Sequence, residues 1–244
     1  MSNLKILVRE SYELMSSRAA SIIENQIHDK PDSVLGLATG STPLGVYAEM
    51  MLKYKAGDTD FSRVRTFNLD EYYPIKKADA QSYYYYMRKN LFDFINIPDE
   101  NIHIPDGEAT DPNTECYTYE EKITALGGID LQILGIGVNG HIGFNEPAKA
   151  FAAATHHVKL DASTIKENAR FFANEKTVPT HALTMGIGTI MRATKIILLA
   201  NGAKKAETLR DALYGPITPQ NPASVLQLHR DVTVITDRDA GRLL

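Results

Sequence analysis

The chain has 244 residues, of which 43% are hydrophobic and 23% are charged. This balance is typical of globular proteins and excludes a disordered chain, a collagen or a coiled coil. Lys and Arg number 26 against 30 Asp and Glu, so there is no overall basic field for nucleic acid, and a phosphorylated ligand would need a local cluster of charges. The single cysteine, Cys116, excludes an internal disulfide and favours the cytosol.

The N-terminal sequence lacks the features of a secretory signal. Its apolar run ends at Val8 and charged residues follow at once, whereas a signal peptide needs a longer apolar segment. No window of the sequence reaches the roughly 18 apolar residues that a membrane-spanning helix needs. We therefore expect a soluble, cytoplasmic protein.

Short apolar runs alternate with helical patterns along the chain. The predicted strands are residues 5–8, 34–38, 64–69, 131–136, 158–160, 195–200 and 232–236. The predicted helices are residues 11–28, 43–54, 82–94, 113–125, 163–170, 181–191 and 203–213. Solid apolar runs such as KIILLA are typical of parallel strands that are covered on both faces. The pattern predicts one α/β domain over residues 1–244, with a doubly wound, mostly parallel sheet and helices on both faces.

The loop after the second predicted strand has the residues of an anion site. Ligands of open α/β sheets bind beyond the carboxyl ends of the strands, and here the sequence reads Thr39, Gly40, Ser41, Thr42 and Pro43. Gly40 permits a close approach of the backbone, and either following hydroxyl can cap the next helix with Pro43 in its first turn. The N–H groups at that helix N-terminus would bind phosphate. An ordinary capped turn explains the same residues.

Two adjacent carboxylates, Asp70 and Glu71, follow the third predicted strand. They are candidates for acid–base chemistry, and neighbours in an extended segment point in opposite directions, so one would face the crevice and the other away from it. A solvated loop is the alternative.

The four tyrosines at residues 83–86 point to several sides of a helix, which favours packing or an interface. The alanine-rich residues 148–157 fit either a short helix or a mobile connection.

The most informative loop follows the strand at residues 131–136. Gly137 begins a glycine-rich stretch that contains Asn139, His141 and, five residues later, Glu146. A histidine that a carboxylate orients is a common arrangement for proton transfer. The spacing Gly-x-Gly-x-x-Gly also matches a dinucleotide fingerprint, but the residues after the third glycine break a helix where the fingerprint requires one to begin. The stretch therefore predicts an acid–base loop.

Two cations could complete a phosphate site. Arg170 ends a predicted helix and Lys205 follows the strand at residues 195–200; either could neutralise a phosphate with the loop at residues 39–42 or lie on the surface. No metal site is predicted, because His156 and His157 are adjacent and are not spaced along one helix face.

Taken together, these loops resemble the glucosamine-6-phosphate deaminase family. The resemblance runs nearly from end to end, and its most specific part combines Asn-Leu-Asp-Glu-Tyr with Gly-His-Ile-Gly-Phe-Asn-Glu-Pro. The matching segments are LGLATGSTPLGVY, FNLDEYYP, SYYYYM, LGIGVNGHIGFNEP, ENARFF, VPTHALTMGIGTI and SVLQLH. The resemblance implies a Rossmann-like fold and the conversion of glucosamine 6-phosphate and water to fructose 6-phosphate and ammonia. That reaction belongs to amino-sugar catabolism and is classed as hydrolysis of a C–N bond.

The resemblance also implies roles for individual residues. Asp70 corresponds to the base of the enolisation, and His141 to the base that opens the sugar ring, assisted by Glu146 and Asn139. The phosphate would be bound by the loop at Thr39, Gly40, Ser41 and Thr42, by Gly137, and by Arg170 and Lys205. No metal or organic cofactor is required.

Two other activities remain open at this stage. The related 6-phosphogluconolactonases typically have Asp-Glu-Arg in the acidic loop and lack Asn-Glu-Pro, so Tyr72 and the residues 145–147 favour the deaminase. A module that only senses sugar phosphates would not need a base at C2.

The chain also departs from part of the family. Many deaminases have Asp where this chain has Asn139, and the effector-binding serines, Arg and Lys of the allosteric hexamers are replaced here by residues such as Ala148 and His156. We expect a monomer that N-acetylglucosamine 6-phosphate does not activate. We also expect a mobile lid at about residues 158–178.

Overall fold

The computed structural model describes residues 4–161, 164–165 and 178–244. Its strands are β1 Leu4–Val8, β2 Val34–Leu37, β3 Arg65–Asn68, β4 Asp70–Tyr73, β5 Ile102–His103, β6 Leu131–Gly135, β7 His156–Lys159, β8 His181–Thr184, β9 Lys195–Ala200 and β10 Val232–Thr236. Its α-helices are α1 Tyr12–Asp29, α2 Leu44–Ala56, α3 Tyr83–Asn90, α4 Pro112–Ala125, α5 Ile187–Met191 and α6 Ala206–Tyr214. Short 3₁₀ helices cover Phe92–Phe94, Asp99–Asn101, Ala203–Lys205 and Pro222–Leu228.

The main sheet confirms the predicted fold class. Seven strands lie in the order β1-β10-β9-β6-β2-β3-β5, and every described pair in this sheet is parallel. Its two faces are covered by separate apolar cores, one with α1, α2 and α3 and the other with α4, α5 and α6. In β9 the neighbours Ile197 and Leu198 belong to different cores, which explains why the strand has no polar alternation.

The strand order places the crevice between β2 and β6. From β2 the chain continues to β3 and β5 on one side, and from β6 it continues to β9 and β10 on the other. This reversal is the position at which open α/β sheets bind ligands. The two loops that leave these strands, at residues 38–43 and 136–147, are the two that the sequence analysis selected.

A second sheet was not predicted. It is antiparallel and has the order β4-β8-β7. Residues 70–73 are therefore a strand and not a solvated loop, and β8 occupies the start of the predicted helix at 181–191, of which only Ile187–Met191 is helical. The helix prediction failed because residues 181–184 pair with β4 and β7. Gly186 lies between this strand and the helix, packed so closely that a Cβ on it would lie 2.2 Å from Ala154 O.

Other boundaries also differ from the predictions. The strand expected at 158–160 is β7, which begins at His156, and the two-residue strand β5 was missed. Residues 148–155 contain no helix, so that alternative is wrong for them, and the mobile connection stays a prediction. The predicted helix at 163–170 and most of the expected lid lie outside the described residues. The domain count and the lid therefore stay predictions. Of the helices that the structure describes, none has the length and apolar character needed to cross a bilayer.

Candidate active site

The loop at residues 39–42 lines a cavity of about 280 Å³ at the carboxyl ends of β2 and β6. The expected hydroxyl cap is wrong: α2 begins at Leu44 with Pro43 as its N-cap, and no side chain caps it. The Thr42 hydroxyl is directed elsewhere and donates to Asn201 Oδ1 at 2.6 Å. Gly40 has a φ of 96°, in the region that favours glycine, so the chain can turn sharply beside the cavity.

The strand β4 sends Asp70 and Glu71 in opposite directions, as the alternation predicted. Asp70 lines the cavity. Glu71 lies at the start of α3, where its carboxylate accepts the backbone N–H groups of Tyr72, Tyr83 and Tyr84 at 2.8–2.9 Å. A carboxylate at a helix N-terminus is stabilised by the helix dipole. Glu71 therefore anchors α3, and Asp70 is the carboxylate that can contact a ligand.

The environment of Asp70 favours its protonated form. The residue is 6% exposed, and among the described residues no donor forms a hydrogen bond with its carboxylate. Burial, with a smaller effect from the charge of Glu71, raises the pKa of Asp70 to about 8. Such a group is a strong base once it has lost its proton. Gly143 lies nearby with a φ of 58°, and a Cβ there would lie 2.9 Å from Thr184 Oγ1 and 3.4 Å from Asp70 Oδ2.

The loop after β6 places His141 in the cavity wall and aligns it through Asn139. The amide Nδ2 of Asn139 donates to Glu146 Oε2 at 2.7 Å, so its Oδ1, which lies 2.7 Å from His141 Nδ1, is the acceptor. His141 therefore carries its hydrogen on Nδ1, and Nε2 keeps a lone pair. A Cβ on Gly137 would lie 2.2 Å from the imidazole ring, so only glycine lets the ring pack against this loop.

Glu146 stands behind His141, with Oε2 at 3.5 Å from His141 Nδ1. Its other oxygen, Oε1, accepts the hydroxyl hydrogen of Thr164. Burial would raise the pKa of Glu146, but hydrogen bonds and charge attraction from His141, Thr164 and Asn139 outweigh it and lower the pKa to about 2. The carboxylate is therefore ionised at neutral pH and holds a negative charge 3.5 Å from His141 Nδ1.

The structure brings most of the candidate residues into one cavity. Those that line it are Thr39, Gly40, Ser41, Thr42, Asp70, Gly137, His141 and Lys205. Asn139 and Glu146 are joined to the cavity through its lining residues: Asn139 contacts His141, and Glu146 contacts both His141 and Thr164. Arg170 lies outside the described residues, so its place in the phosphate site stays a prediction.

Several residues of the site were missed or misread. Tyr83 and Tyr86 line the cavity, although the tyrosine run was interpreted as packing. Their helical spacing of three residues, which puts both side chains on one face, was the available signal. Thr164 also lines the cavity, but nothing in the sequence links it to Glu146, which lies 18 residues earlier.

The described residues contain no group of three or more His, Cys, Asp or Glu side chains placed to hold a metal ion. This covers residues 4–161, 164–165 and 178–244 only. That the reaction needs neither a metal nor an organic cofactor stays a prediction.

Comparison with known proteins gives one consistent family. Residues 9–235 match the family model described as glucosamine-6-phosphate isomerases/6-phosphogluconolactonase. A glucosamine-6-phosphate deaminase of Clostridium novyi is 56% identical over 99% of this chain and 100% of its own length. The deaminase of Alkaliphilus oremlandii is 55% identical over 98% of this chain and 99% of its own.

Solved structures agree with these matches. A structure described as a monomeric glucosamine-6-phosphate deaminase superimposes with a TM-score of 0.96 and 44% identity, over 98% of this chain and all of that one. A 6-phosphogluconolactonase from Trypanosoma cruzi has a TM-score of 0.78 at 21% identity, over 100% of this chain and 98% of its own, which shows a shared fold alone.

Proposed function

The chain belongs to the family of glucosamine-6-phosphate isomerases and 6-phosphogluconolactonases, and we propose that it converts glucosamine 6-phosphate and water to fructose 6-phosphate and ammonia. One observation carries this proposal: Asp70, a buried carboxylate with a raised pKa, and His141, an aligned imidazole, line the same cavity as the loop at residues 39–42. The pair provides a base for a C–H bond beside a base for a hydroxyl. The similar proteins named glucosamine-6-phosphate deaminase support the same reaction.

The phosphate of the substrate binds at the loop of residues 39–42. This loop joins β2 to α2, where backbone N–H groups and the helix dipole favour an anion. Lys205 lines the same cavity and supplies a positive charge. Arg170 is proposed as a second cation of this site on the resemblance alone.

Ring opening is assigned to His141. Its Nε2 lone pair takes the proton of the anomeric hydroxyl and delivers a proton to the ring oxygen, so the C1–O5 bond breaks with no net change in protonation. Glu146 stabilises the transient imidazolium at 3.5 Å, and Asn139 keeps the ring oriented. This division of work resembles other histidine–carboxylate pairs, in which the carboxylate orients the base and does not take the proton.

The proton transfer from C2 to C1 is assigned to Asp70. The ionised carboxylate removes the proton from C2 of the open-chain aldehyde, and a proton passes from the adjacent ammonium group to the aldehyde oxygen, which gives an enolamine with a hydroxyl at C1. It then returns a proton to C1 on the same face, which leaves an imine at C2. Water adds to this imine and ammonia leaves, so one water is consumed and one C–N bond is broken. For that reason we place the enzyme among hydrolases acting on C–N bonds, although the rearrangement of the carbon chain is an isomerisation.

The remaining features of the proposal concern regulation and assembly. We propose a monomer, supported by the similar structure described as monomeric, and no activation by N-acetylglucosamine 6-phosphate. A sigmoidal rate curve that becomes hyperbolic with that effector would contradict this.

Residues 158–178 are proposed to close over the bound sugar, which predicts stronger hydrogen-exchange protection there when a phosphate ligand is bound.

The decisive assay offers two substrates in parallel. The purified protein is incubated with glucosamine 6-phosphate, and ammonia and fructose 6-phosphate are both measured; a second sample receives 6-phosphogluconolactone. We expect equal amounts of ammonia and ketose and no lactone hydrolysis. Lactone hydrolysis without ammonia would assign the chain to the other activity of the family. Tight binding of the sugar phosphate without either reaction would indicate a sensor.

A further inference from the structure

Three tyrosine hydroxyls contact the carbonyl groups of the loop at residues 38–42, and one of them, Tyr86, also lines the cavity. Tyr47 Oη donates to Ala38 O at 2.5 Å, and Tyr86 Oη donates to Gly40 O at 2.6 Å. Tyr12 Oη lies 3.0 Å from Thr42 O and 3.2 Å from Ser41 O. These tyrosines come from three different helices, α2, α3 and α1, that pack around the same loop.

The Tyr12 hydroxyl has a second contact that fixes its direction. It accepts the backbone N–H of Gly45 at 2.7 Å, in the first turn of α2, so its own hydrogen is directed to the loop carbonyls. Burial raises the pKa of both Tyr47 and Tyr86 above the usual tyrosine value. Both hydroxyls therefore keep the hydrogen that they donate throughout the neutral pH range.

The direction of a carbonyl fixes the direction of the next amide. In a trans peptide the C=O of one residue and the N–H of the following residue point in opposite directions. Holding Ala38 O and Gly40 O toward the tyrosines turns the N–H groups of Thr39 and Ser41 away from them. Within the described part of the chain, no protein acceptor takes a hydrogen bond from either N–H.

This arrangement has an electrostatic consequence for an anion in the cavity. A carbonyl oxygen that faced the cavity would repel a phosphate, whereas backbone N–H groups attract it. The loop is short and contains Gly40 at a φ of 96°, so its peptide planes could rotate without these contacts. The hydroxyls remove that freedom.

We propose that Tyr12 and Tyr86 are positioning residues of the phosphate site. Tyr86 holds Gly40 O and Tyr12 contacts Ser41 O, which fixes the two peptide planes so that the N–H groups of Ser41 and Thr42 recognise a phosphate group. The proposal rests on the proposed function for the identity of the substrate, and it extends that function by assigning selectivity for phosphorylated over unphosphorylated sugars to the orientation of this loop.

The test compares Tyr86→Phe and Tyr12→Phe with the wild-type protein. Tyr85→Phe is the matched control, because Tyr85 lies in the same helix, is 40% exposed and contacts no part of the loop. We expect each single variant to raise KM for glucosamine 6-phosphate about 3- to 10-fold with kcat little changed, as the loss of one hydrogen bond predicts. Turnover of unphosphorylated glucosamine should not fall. The double variant should raise KM further than either single variant, by a factor that differs from the product of the two because both hydroxyls contact the same loop.

A second measurement separates this inference from the proposed reaction. Inorganic phosphate is titrated into each protein, and its dissociation constant is taken from the rise in melting temperature. Weaker phosphate binding in both variants but not in Tyr85→Phe would support the inference even if no ammonia were formed. Normal deamination with unchanged phosphate binding and KM in the double variant would overturn the inference and leave the proposed function intact. Equal losses of kcat on phosphorylated and unphosphorylated sugar would also overturn it, because they would indicate a general structural role.

Discussion

Asp70 and Glu146 are both partly or fully withdrawn from water, yet their surroundings drive their pKa values in opposite directions. Glu146 receives hydrogen bonds from Asn139 and Thr164 and lies beside His141, and its pKa is lowered to about 2. Asp70 is buried in the cavity wall, and its pKa is raised to about 8. Carboxylates whose environments separate their pKa values in this way commonly have different tasks in one reaction.

The comparison assigns the two tasks. Glu146 holds a fixed negative charge that serves the imidazole, whereas Asp70 can exchange a proton with a substrate near neutral pH. Glu71, the sequence neighbour of Asp70, is the weaker candidate for the second task, because its oxygens accept the backbone N–H groups of Tyr83 and Tyr84 at the α3 N-terminus and of the following residue, Tyr72. Hydrogen bonds and the neighbouring His141 outweigh burial at Glu146, whereas burial dominates at Asp70 and also at Glu71, whose pKa is raised to about 7 in spite of its three donors.

The largest effect is expected for Asp70→Asn. The amide cannot accept the C2 proton, so kcat should fall by at least about 10²-fold, the range that one general base contributes. Substrate binding should be retained, since the shape of the side chain is preserved. Steady-state rates of ammonia release measure the effect, and Asp239→Asn, at an exposed position, is the control. A nearly normal rate would place the base elsewhere, with Glu71 as the first candidate.

A slightly smaller and more selective effect is expected for His141→Gln. The ring-closed substrate should lose about 10²-fold or more in kcat/KM, whereas an analogue that is already open-chain should be affected far less. The measurement is the ratio of the two losses. Equal losses on both compounds would contradict the ring-opening role.

Glu146→Gln should reduce kcat by about 10-fold, less than either direct proton-transfer variant. The change removes the charge that favours the imidazolium but keeps hydrogen-bond contacts to Asn139 and Thr164 possible. As with His141→Gln, the loss should be concentrated on the ring-closed substrate. If Glu146→Gln were as damaging on the open-chain analogue, Glu146 would act beyond ring opening.

The smallest effect concerns stability and its pH dependence. The folded protein holds a proton on Asp70 up to about pH 8, while the unfolded chain releases it near pH 4, so this residue costs stability progressively as the pH rises from about 4 to 8. Asp70→Asn should remove the cost and melt above the wild type at pH 8, by roughly 2–4 °C for each kcal/mol of that cost in a domain of this size. The difference should shrink toward pH 4. A difference that grew on acidification would show that the pKa of Asp70 is lowered instead.

The parts of the site that could be read from the sequence are those set by local order along the chain. The loops at residues 39–42 and 137–146 follow uninterrupted apolar strands, and the rule for ligand sites in parallel sheets selects them. The alternation along β4 correctly predicted that Asp70 and Glu71 would point in opposite directions.

The parts that could not be read depend on contacts between distant residues. The strand β8 was mistaken for the start of a helix because its four residues have no period of their own, and only pairing with β4 and β7 defines them. The cap of α2 was misplaced because Thr42 contacts Asn201, 159 residues away. Tyr12 can contact the loop at residues 39–42 only because α1 packs beside the end of β2. The order of these elements along the chain does not predict that they are neighbours in space.

The central claim, that Asp70 moves the proton of C2, is tested most directly with substrate that carries deuterium at C2. Wild-type protein and Asp70→Asn are each incubated with this substrate at saturating concentration, and the label is followed in the remaining substrate, in C1 of fructose 6-phosphate and in water. The account predicts that the wild type removes the label from C2 and delivers it to C1 or to water, while Asp70→Asn binds the substrate and leaves the label at C2. Removal of the label by Asp70→Asn at a rate close to that of the wild type would contradict the account.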